Sequence, residues 1–518
     1  MVQKIWKEII QEQEVRQNLS KLRELVKQEN NRIKCRQLAE EQELFFATLL
    51  QHEDPKTRKN VALLVGELGL SSFQEALWSA YEKEDTLFVR SSYLVAMQKL
   101  DMKGYLTKFK ERLEYLSNTE TEQENKKHIQ EEMKELTKLV ISIEGVKKHT
   151  FIGWQKESEI ILLANRRHIE NVLEEIKQLP NVQTTDAKLL SAGIRLKTGG
   201  LEQLMEIRTW QDILFLVPGM KVCEKEPIEA ADRVASSKLL EFLTERHIGK
   251  APFYFRVEVK MQTGNVTDNK KKTSGKSGQE KEITEAKNRF IKKFVQRLEE
   301  QTNRQLINSP SDYEIEIRLV ENKEGKFNTM VKLYTLADDR FSYRKEVVAS
   351  SIRPVNAALI VSLAKEYMVA DAQVLDPFCG VGTMLIERQK KVPANTSFGI
   401  DILEEAIEKA RINTEEAGQI VHYVNRDCIT FVHEYLFDEI FTNMPFVQGR
   451  KTALDIYEIY EKFFAVAGSL LKNSGMMILY THDKAYIDKL APKYHFEVEK
   501  RYQVNVKEDT WVYIVKRR

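Results

Sequence analysis

The run Val374-Leu375-Asp376-Pro377-Phe378-Cys379-Gly380-Val381-Gly382-Thr383 constrains this chain more than any other stretch. An apolar segment ends on a carboxylate, two closely spaced glycines follow, and a helical pattern begins at once. Glycine reaches backbone angles that side chains forbid, so the run predicts a tight strand-to-helix turn with room for a ligand against the backbone. It lacks the lysine of a phosphate-binding Walker loop, which excludes a P-loop. From about residue 350 onward strands and helices alternate. Strands are expected at Gln373–Asp376, Ser397–Ile400, His422–Val424, Glu439–Thr442, Gly475–Tyr480 and Trp511–Val515, with helices at 355–368, 382–391, 403–417, 452–472 and 483–491. Such alternation predicts a doubly wound, mainly parallel sheet, whose ligands sit at the carboxyl ends of the strands.

The strand ends carry polar residues in a telling order. The second ends in Gly399-Ile400-Asp401-Ile402, with Asp401 placed 25 residues beyond Asp376. That is close to the offset of the acid that holds ribose hydroxyls in dinucleotide folds, so nicotinamide and S-adenosylmethionine enzymes both remain open here. The third ends near Asp427-Cys428, where a carboxylate can accept from an adenine amine. The fourth decides, ending in Thr442-Asn443-Met444-Pro445-Phe446. The Asn443 side-chain oxygen and the Met444 carbonyl can accept both hydrogens of one exocyclic amine. Pro445 stiffens the turn, and Phe446 offers a face to a planar base. Two acceptors orient the amine and offset the positive charge that develops as it attacks a methyl group. Neither a metal nor a covalent nucleophile is required.

These motifs together resemble class I S-adenosylmethionine-dependent methyltransferases acting on exocyclic amines. More narrowly, they resemble the THUMP-containing RNA methyltransferases that modify guanine N2. Phe341-Ser342-Tyr343-Arg344 and Ser351-Ile352-Arg353-Pro354-Val355-Asn356-Ala357-Ala358-Leu359 resemble that family's junction before the first catalytic strand. The resemblance is strong over 340–480, weaker over 155–340 and absent over 1–145. It implies that Asp376, Phe378, Gly380, Gly382 and Thr383 frame the methionine part of S-adenosylmethionine. It places Asp401 and Ile402 at the ribose, Asp427 and Cys428 at adenine, and Asn443, Met444, Pro445 and Phe446 around the target amine. Met444 stands where related enzymes often have proline, and Val447 where they commonly have glycine. Gly449-Arg450 two residues later suggests a shifted loop, which bears on the identity of the base more than on the reaction. Adenine N6, ribosomal RNA, DNA, or a non-catalytic RNA-binding scaffold remain as alternatives.

The remaining sequence supplies surfaces. The fold class expected is multidomain: a helical HEAT-like domain over 1–148, an α+β THUMP-like RNA-binding region over 149–345, and a Rossmann-like methyltransferase domain over 346–518. In the first, Asp54-Pro55 reads as a helix N-cap with proline behind it, and Arg58 and Arg90 recur 32 residues apart ahead of apolar helices. This domain is expected to extend the RNA surface or bind a protein. In the second, strands are expected at Glu159–Leu163, Phe253–Val259, Tyr313–Val320 and Thr329–Tyr334, and helices at 167–178, 229–247 and 284–302. Tyr313–Val320 alternates apolar and charged residues, the pattern of a half-exposed strand. The 263–282 stretch reads as a flexible loop.

Net charge is close to neutral, 80 basic against 78 acidic residues, which excludes a histone-like polycation. Residues 260–304 nevertheless hold 12 Lys and Arg against 6 Asp and Glu, a local excess of 6 suited to phosphate. Lys270, Lys271, Lys272, Arg353, Arg450 and Lys451 are the candidate RNA contacts, with transfer RNA the expected partner. The four cysteines are scattered without a C-x-x-C, so no metal ribbon or disulfide framework is expected. Cys379 is expected to pack beneath the glycine turn, and Cys428 either to pack or to touch adenine. His422, His433 and His482 read as surface or loop residues, and Tyr457, Tyr460, Phe463 and Phe464 as core. No run is long and apolar enough for a membrane span, the N-terminus is too charged for a secretory signal, and a cytoplasmic location is expected.

Overall fold

The computed structural model describes residues 1–118, 125–145, 149–180, 182, 187–261 and 276–518. Lys270, Lys271 and Lys272 lie outside the described residues. The chain divides into two compact units, Met1–Lys147 and Lys148–Arg518.

Among its described residues the first unit is built from helices alone. Asp54 caps the helix Pro55–Leu68, its carboxylate accepting from the Lys56 and Thr57 amides with proline at the first helical position. That helix crosses Leu87–Met97 at Gly66, where a β-carbon would lie 2.7 Å from the Ala96 Cα. Two buried acids hold the helices in place. Glu84 takes the Arg58 guanidinium at 2.6 and 2.8 Å, and the Arg90 Nε donates to the Glu84 carbonyl at 2.6 Å. The two arginines of the sequence echo therefore meet at one junction. Glu132 likewise accepts from the Tyr81 hydroxyl at 2.6 Å and from Arg112 at 3.0 Å.

The second unit begins with a mixed sheet. Gly193–Thr198, Ser158–Ala164 and Trp210–Phe215 form an antiparallel group, joined through Val331 to a group containing Phe327–Leu333, Ile315–Glu321 and Phe253–Lys260. The alternating strand is not half-exposed. Ile315–Glu321 is central and buried on both faces, because its acids are neutralised internally. Glu316 pairs with Arg256 and Arg318, and the neighbouring Glu314 with His149. The single helix expected over 229–247 is two, Pro227–Ala235 and Leu239–Arg246. The Ser237 hydroxyl accounts for the break, donating to the Val234 carbonyl while accepting from the Leu239 amide.

The C-terminal part carries seven strands: β1 (Gln373–Asp376), β2 (Thr396–Asp401), β3 (His422–Asn425), β4 (Phe437–Asn443), β5 (Leu471–Thr481), β6 (Phe496–Asn505) and β7 (Thr510–Arg517). Their order is β3-β2-β1-β4-β5-β7-β6, with β1 to β5 parallel and β7 antiparallel to both of its neighbours, β5 and β6. Around them lie α1 (Pro354–Ala364), α2 (Thr383–Lys391), α3 (Glu404–Glu416), α4 (Ala453–Leu470) and α5 (Lys484–Lys493). The strand order reverses between β1 and β4, which makes their carboxyl ends the expected ligand crevice. Strand β6 was not foreseen: it is an edge strand with one neighbour, and its mostly exposed charged residues hide its β-pattern. Tyr460, Phe463 and Phe464 are core, as their helical spacing predicts, and Tyr457 packs against them partly buried.

Polar groups dock the two sheets of this unit on one another. Buried Glu387 of α2 receives the Arg208 guanidinium through two bonds of 2.6 and 2.7 Å and the Tyr343 hydroxyl at 2.7 Å. Glu175 accepts from Thr209 and from Ser362 of α1, both at 2.8 Å. Asn165 donates to the Val504 carbonyl, and His168 bonds the Gln503 carbonyl.

Candidate active site at the carboxyl ends of the parallel strands

The glycine turn forms as its sequence predicts. Gly380 and Gly382 adopt φ of +51° and +80°, angles that a side chain rarely tolerates. Gly380 faces open space, whereas a β-carbon on Gly382 would lie 2.2 Å from the Tyr423 hydroxyl. Gly399 is equally tight, with the Tyr423 ring 2.6 Å from such a carbon. Tyr423, anchored by its hydroxyl to Thr414 at 2.7 Å, therefore fills the floor under both glycine segments. Cys379 packs there too, its thiol pushed well up by burial and by the nearby Asp376 and Asp401 charges.

The acids at the strand ends are tied into this frame. Asp376 is wholly buried; one carboxylate oxygen accepts from the Phe378 amide at 3.1 Å and from Thr442 at 2.5 Å, bridging β1 to β4 across the reversal. Its other oxygen is buried without a partner. Burial pushes this carboxyl up to about 7, the Asp401 charge adds to the shift, and the two hydrogen bonds oppose it. Asp401 accepts from the Gly380 amide and the Leu403 amide, both at 2.9 Å, so it fastens the glycine turn to the end of β2. Each of its oxygens keeps a lone pair for a hydroxyl. Ile402 beside it is 68% exposed, an apolar side chain left uncovered at a strand end. Asp427 accepts from the Ile429 amide. Cys428 joins the apolar core with Phe431 and Phe437, and burial raises its thiol to about 12.

At the fourth strand end, Asn443 pairs in register with Tyr480 of β5, and the Met444 amide continues the ladder to the Tyr480 carbonyl at 2.8 Å. The Met444 side chain is buried, which holds the loop without a second proline. The Asn443 side-chain oxygen is buried and unpartnered. The Phe446 ring stacks on His482, with centroids 4.3 Å apart and planes 23° from parallel. His482 lies half-buried in the bend after β5, a loop residue as the sequence reading allows. It closes one face of the aromatic platform, and burial lowers its affinity for a proton. Arg450 and Lys451 are exposed on the following loop, and Arg353 is exposed at the N-terminus of α1. Phe378 lies edge-on to Phe463.

Sequence reasoning gave His482 no role beyond that of a surface or loop residue, and passed over Asp483 and Tyr423. The signal for the first two was present: Thr481-His482-Asp483 follows the apolar run of a parallel strand, as the other site residues do.

Three comparisons bear on this geometry. Residues 342–513 match the family model of the RMKL-like methyltransferase domain, UPF0020. This is the fold of S-adenosylmethionine-dependent methyltransferases. Among solved structures, TrmN from Thermus thermophilus matches at 17% identity over 70% of this chain and 99% of that chain, with a TM-score of 0.50. A protein from Listeria monocytogenes described as a predicted N6-adenine-specific DNA methylase matches at 15% identity over 69% and 96%, with a TM-score of 0.50. Both matches extend the likeness in fold beyond the methyltransferase domain. No curated protein sequence matches the chain.

The residues of the methyltransferase domain fit the cofactor. S-Adenosylmethionine carries cationic, hydroxyl and planar apolar parts. The domain offers a shielded, unpartnered Asp376 oxygen, a buried Thr383 hydroxyl also without a partner, free lone pairs on Asp401, and the uncovered Ile402 side chain. Unsatisfied buried polar atoms are costly, about 1–3 kcal/mol each, and a bound group that satisfies them recovers that energy.

Proposed function

We propose that this protein methylates the N2 amine of a guanosine in RNA, transfer RNA foremost, using S-adenosylmethionine. The observation that carries the reading is the shielded, unpartnered Asn443 oxygen one residue before the Met444 carbonyl, at the end of the strand beside β1. The cofactor supplies a methyl group on a positively charged sulfur. The chain supplies position and electrostatics. Asn443 and Met444 accept the two amine hydrogens and turn the nitrogen lone pair toward the crevice. Their oxygens stabilise positive charge on nitrogen as the new bond forms, in a site already arranged for it. Pro445 and the Met444–Tyr480 bond fix the loop, and Phe446, backed by His482, receives the face of the base. A base inside a helix cannot reach this crevice, so the target nucleotide must be unstacked.

The middle region is the proposed RNA grip, with Lys270, Lys271, Lys272, Arg353, Arg450 and Lys451 neutralising phosphates. The helical N-terminal region extends that surface or binds a protein partner. The proposed site of action is the cytoplasm.

The test uses tritiated S-adenosylmethionine and small RNA from cells lacking this protein, followed by nucleoside analysis. Label in N2-methylguanosine supports the reading. Label in N6-methyladenosine keeps the amine chemistry and overturns the base. No label and no cofactor binding by calorimetry favours the scaffold alternative. Asn443→Ala is expected to abolish transfer while leaving RNA affinity nearly unchanged.

A further inference from the structure

Strands β1, β4 and β5 lie side by side; β1 ends on Asp376, β4 ends on Asn443, Asp483 stands two residues beyond the end of β5, and each of the three has a shielded, unpartnered oxygen. The first two have roles above; Asp483 has none. It stands at the N-terminus of α5 and yet makes no capping bond with its side chain. An aspartate there ordinarily accepts from the next amides. The Asp483 amide is itself occupied, donating to Thr481 at 2.8 Å. Asp483 is the chain neighbour of His482, whose ring lies on Phe446 of the platform proposed for the target base. The register of Asn443 with Tyr480 brings both strand ends to the same edge of the sheet.

We propose that Asp483 accepts a hydrogen bond from N1–H of the target guanine and so selects guanine over adenine. The inference rests on the guanosine reading above. In both bases N1 is one of the two ring atoms next to the carbon bearing the amine, but guanine N1 carries hydrogen whereas adenine N1 carries a lone pair. With the amine held by Asn443 and Met444, a carboxylate beside it attracts the one and repels the other. Pairing satisfies the Asp483 oxygen, and an adenine leaves it unpaired against a second acceptor. Sites built to bond a specific hydrogen reject analogues that lack it far more strongly than apolar pockets do. His482 is a positioning residue that keeps Phe446 against this edge.

The experiment compares full-length wild-type and Asp483→Asn on two transcripts that differ only by guanosine or adenosine at the methylated position. An amide presents either a donor or an acceptor, so the guanosine-to-adenosine ratio of kcat/KM is expected to narrow by at least about tenfold. Cofactor affinity by calorimetry is expected to be unchanged, which establishes that the variant is folded. Asp483→Glu keeps an acceptor but moves it, and is expected to give a ratio between those of wild-type and Asp483→Asn. An unchanged ratio in Asp483→Asn, or an equal fall on both transcripts, overturns the inference. If Asp483→Asn does not bind cofactor, the comparison passes to Asp483→Glu against wild-type, and a ratio unaffected by moving the carboxylate overturns it as well. The wild-type control separates the failures: an enzyme that methylates no guanosine defeats the guanosine reading and this inference together.

Discussion

Tyr423 lies under two glycines, and the two contacts differ in a way that a paired mutagenesis can read. A β-carbon on Gly382 would meet the Tyr423 hydroxyl at 2.2 Å and its ring carbon Cζ only at 3.2 Å. A β-carbon on Gly399 would meet ring carbons at 2.6 and 2.7 Å and the Cys379 sulfur at 3.0 Å. Gly382→Ala therefore combines overpacking, about 1–3 kcal/mol, with the strain of an alanine at φ of +80°, about 1–3 kcal/mol more. Removing the hydroxyl with Tyr423→Phe deletes most of the clash, leaves the strain, and forfeits the Thr414 hydrogen bond, about 1 kcal/mol. The double variant should thus show a favourable coupling of about 1–3 kcal/mol relative to the two single variants. Tyr423→Phe should not rescue Gly399→Ala, whose contacts are with ring carbons that phenylalanine retains. Urea unfolding of the full chain, followed by a probe in the Lys148–Arg518 unit, measures stability, and calorimetry measures cofactor affinity. Rescue of both alanine variants by Tyr423→Phe, or of neither, would refute the assignment of the hydroxyl as the contact that shapes the glycine turn.

Four further outcomes are expected. Because burial raises Asp376 to about 7, the folded protein holds a proton that the unfolded chain releases near pH 4; stability should fall as pH rises between those values and level off above, and Asp376→Asn should remove that slope in urea titrations. Cofactor affinity should strengthen as pH rises through about 7, since an ionised Asp376 attracts a cationic ligand, and calorimetry on Asp376→Asn should show a flat profile. Arg208→Ala strands the buried Glu387 and should cost about 3–5 kcal/mol by urea unfolding. Replacing Lys270, Lys271 and Lys272 by alanine should lower the slope of log affinity for single-stranded RNA against log salt by about 2, as filter binding would show.

The parallel half of the second unit was legible because its strands are short apolar runs bounded by turn residues. β1 begins and ends where the sequence places it, and the glycine turn, Asp401 and Asn443 gather at one edge. What failed was legibility of charge. Glu316 and its arginine partners read as a solvated face, because sequence does not reveal that Arg256, 60 residues away, neutralises the acid inside. The charged edge strand Phe496–Asn505 was hidden by the same uncertainty in reverse. His482 was missed because its partner Phe446 lies in the loop after another strand, and the parallel pairing of β4 and β5 brings them together. Local patterns report which face of an element is apolar, whereas non-local pairs decide what a polar residue does.

The docking of Glu387 and Glu175 has a consequence for the choice of target. Both acids fasten the middle sheet to α1 and α2, the helices that flank the glycine turn. If the middle region holds the RNA, as proposed, its separation from the proposed amine site is a constant of the molecule, like the marks on a ruler. On that proposal a nucleotide would be admitted for its distance from the gripped end of the RNA, before its chemistry is examined. Loosening that junction should blur the address at which the methyl group is delivered, even in an enzyme whose crevice is intact.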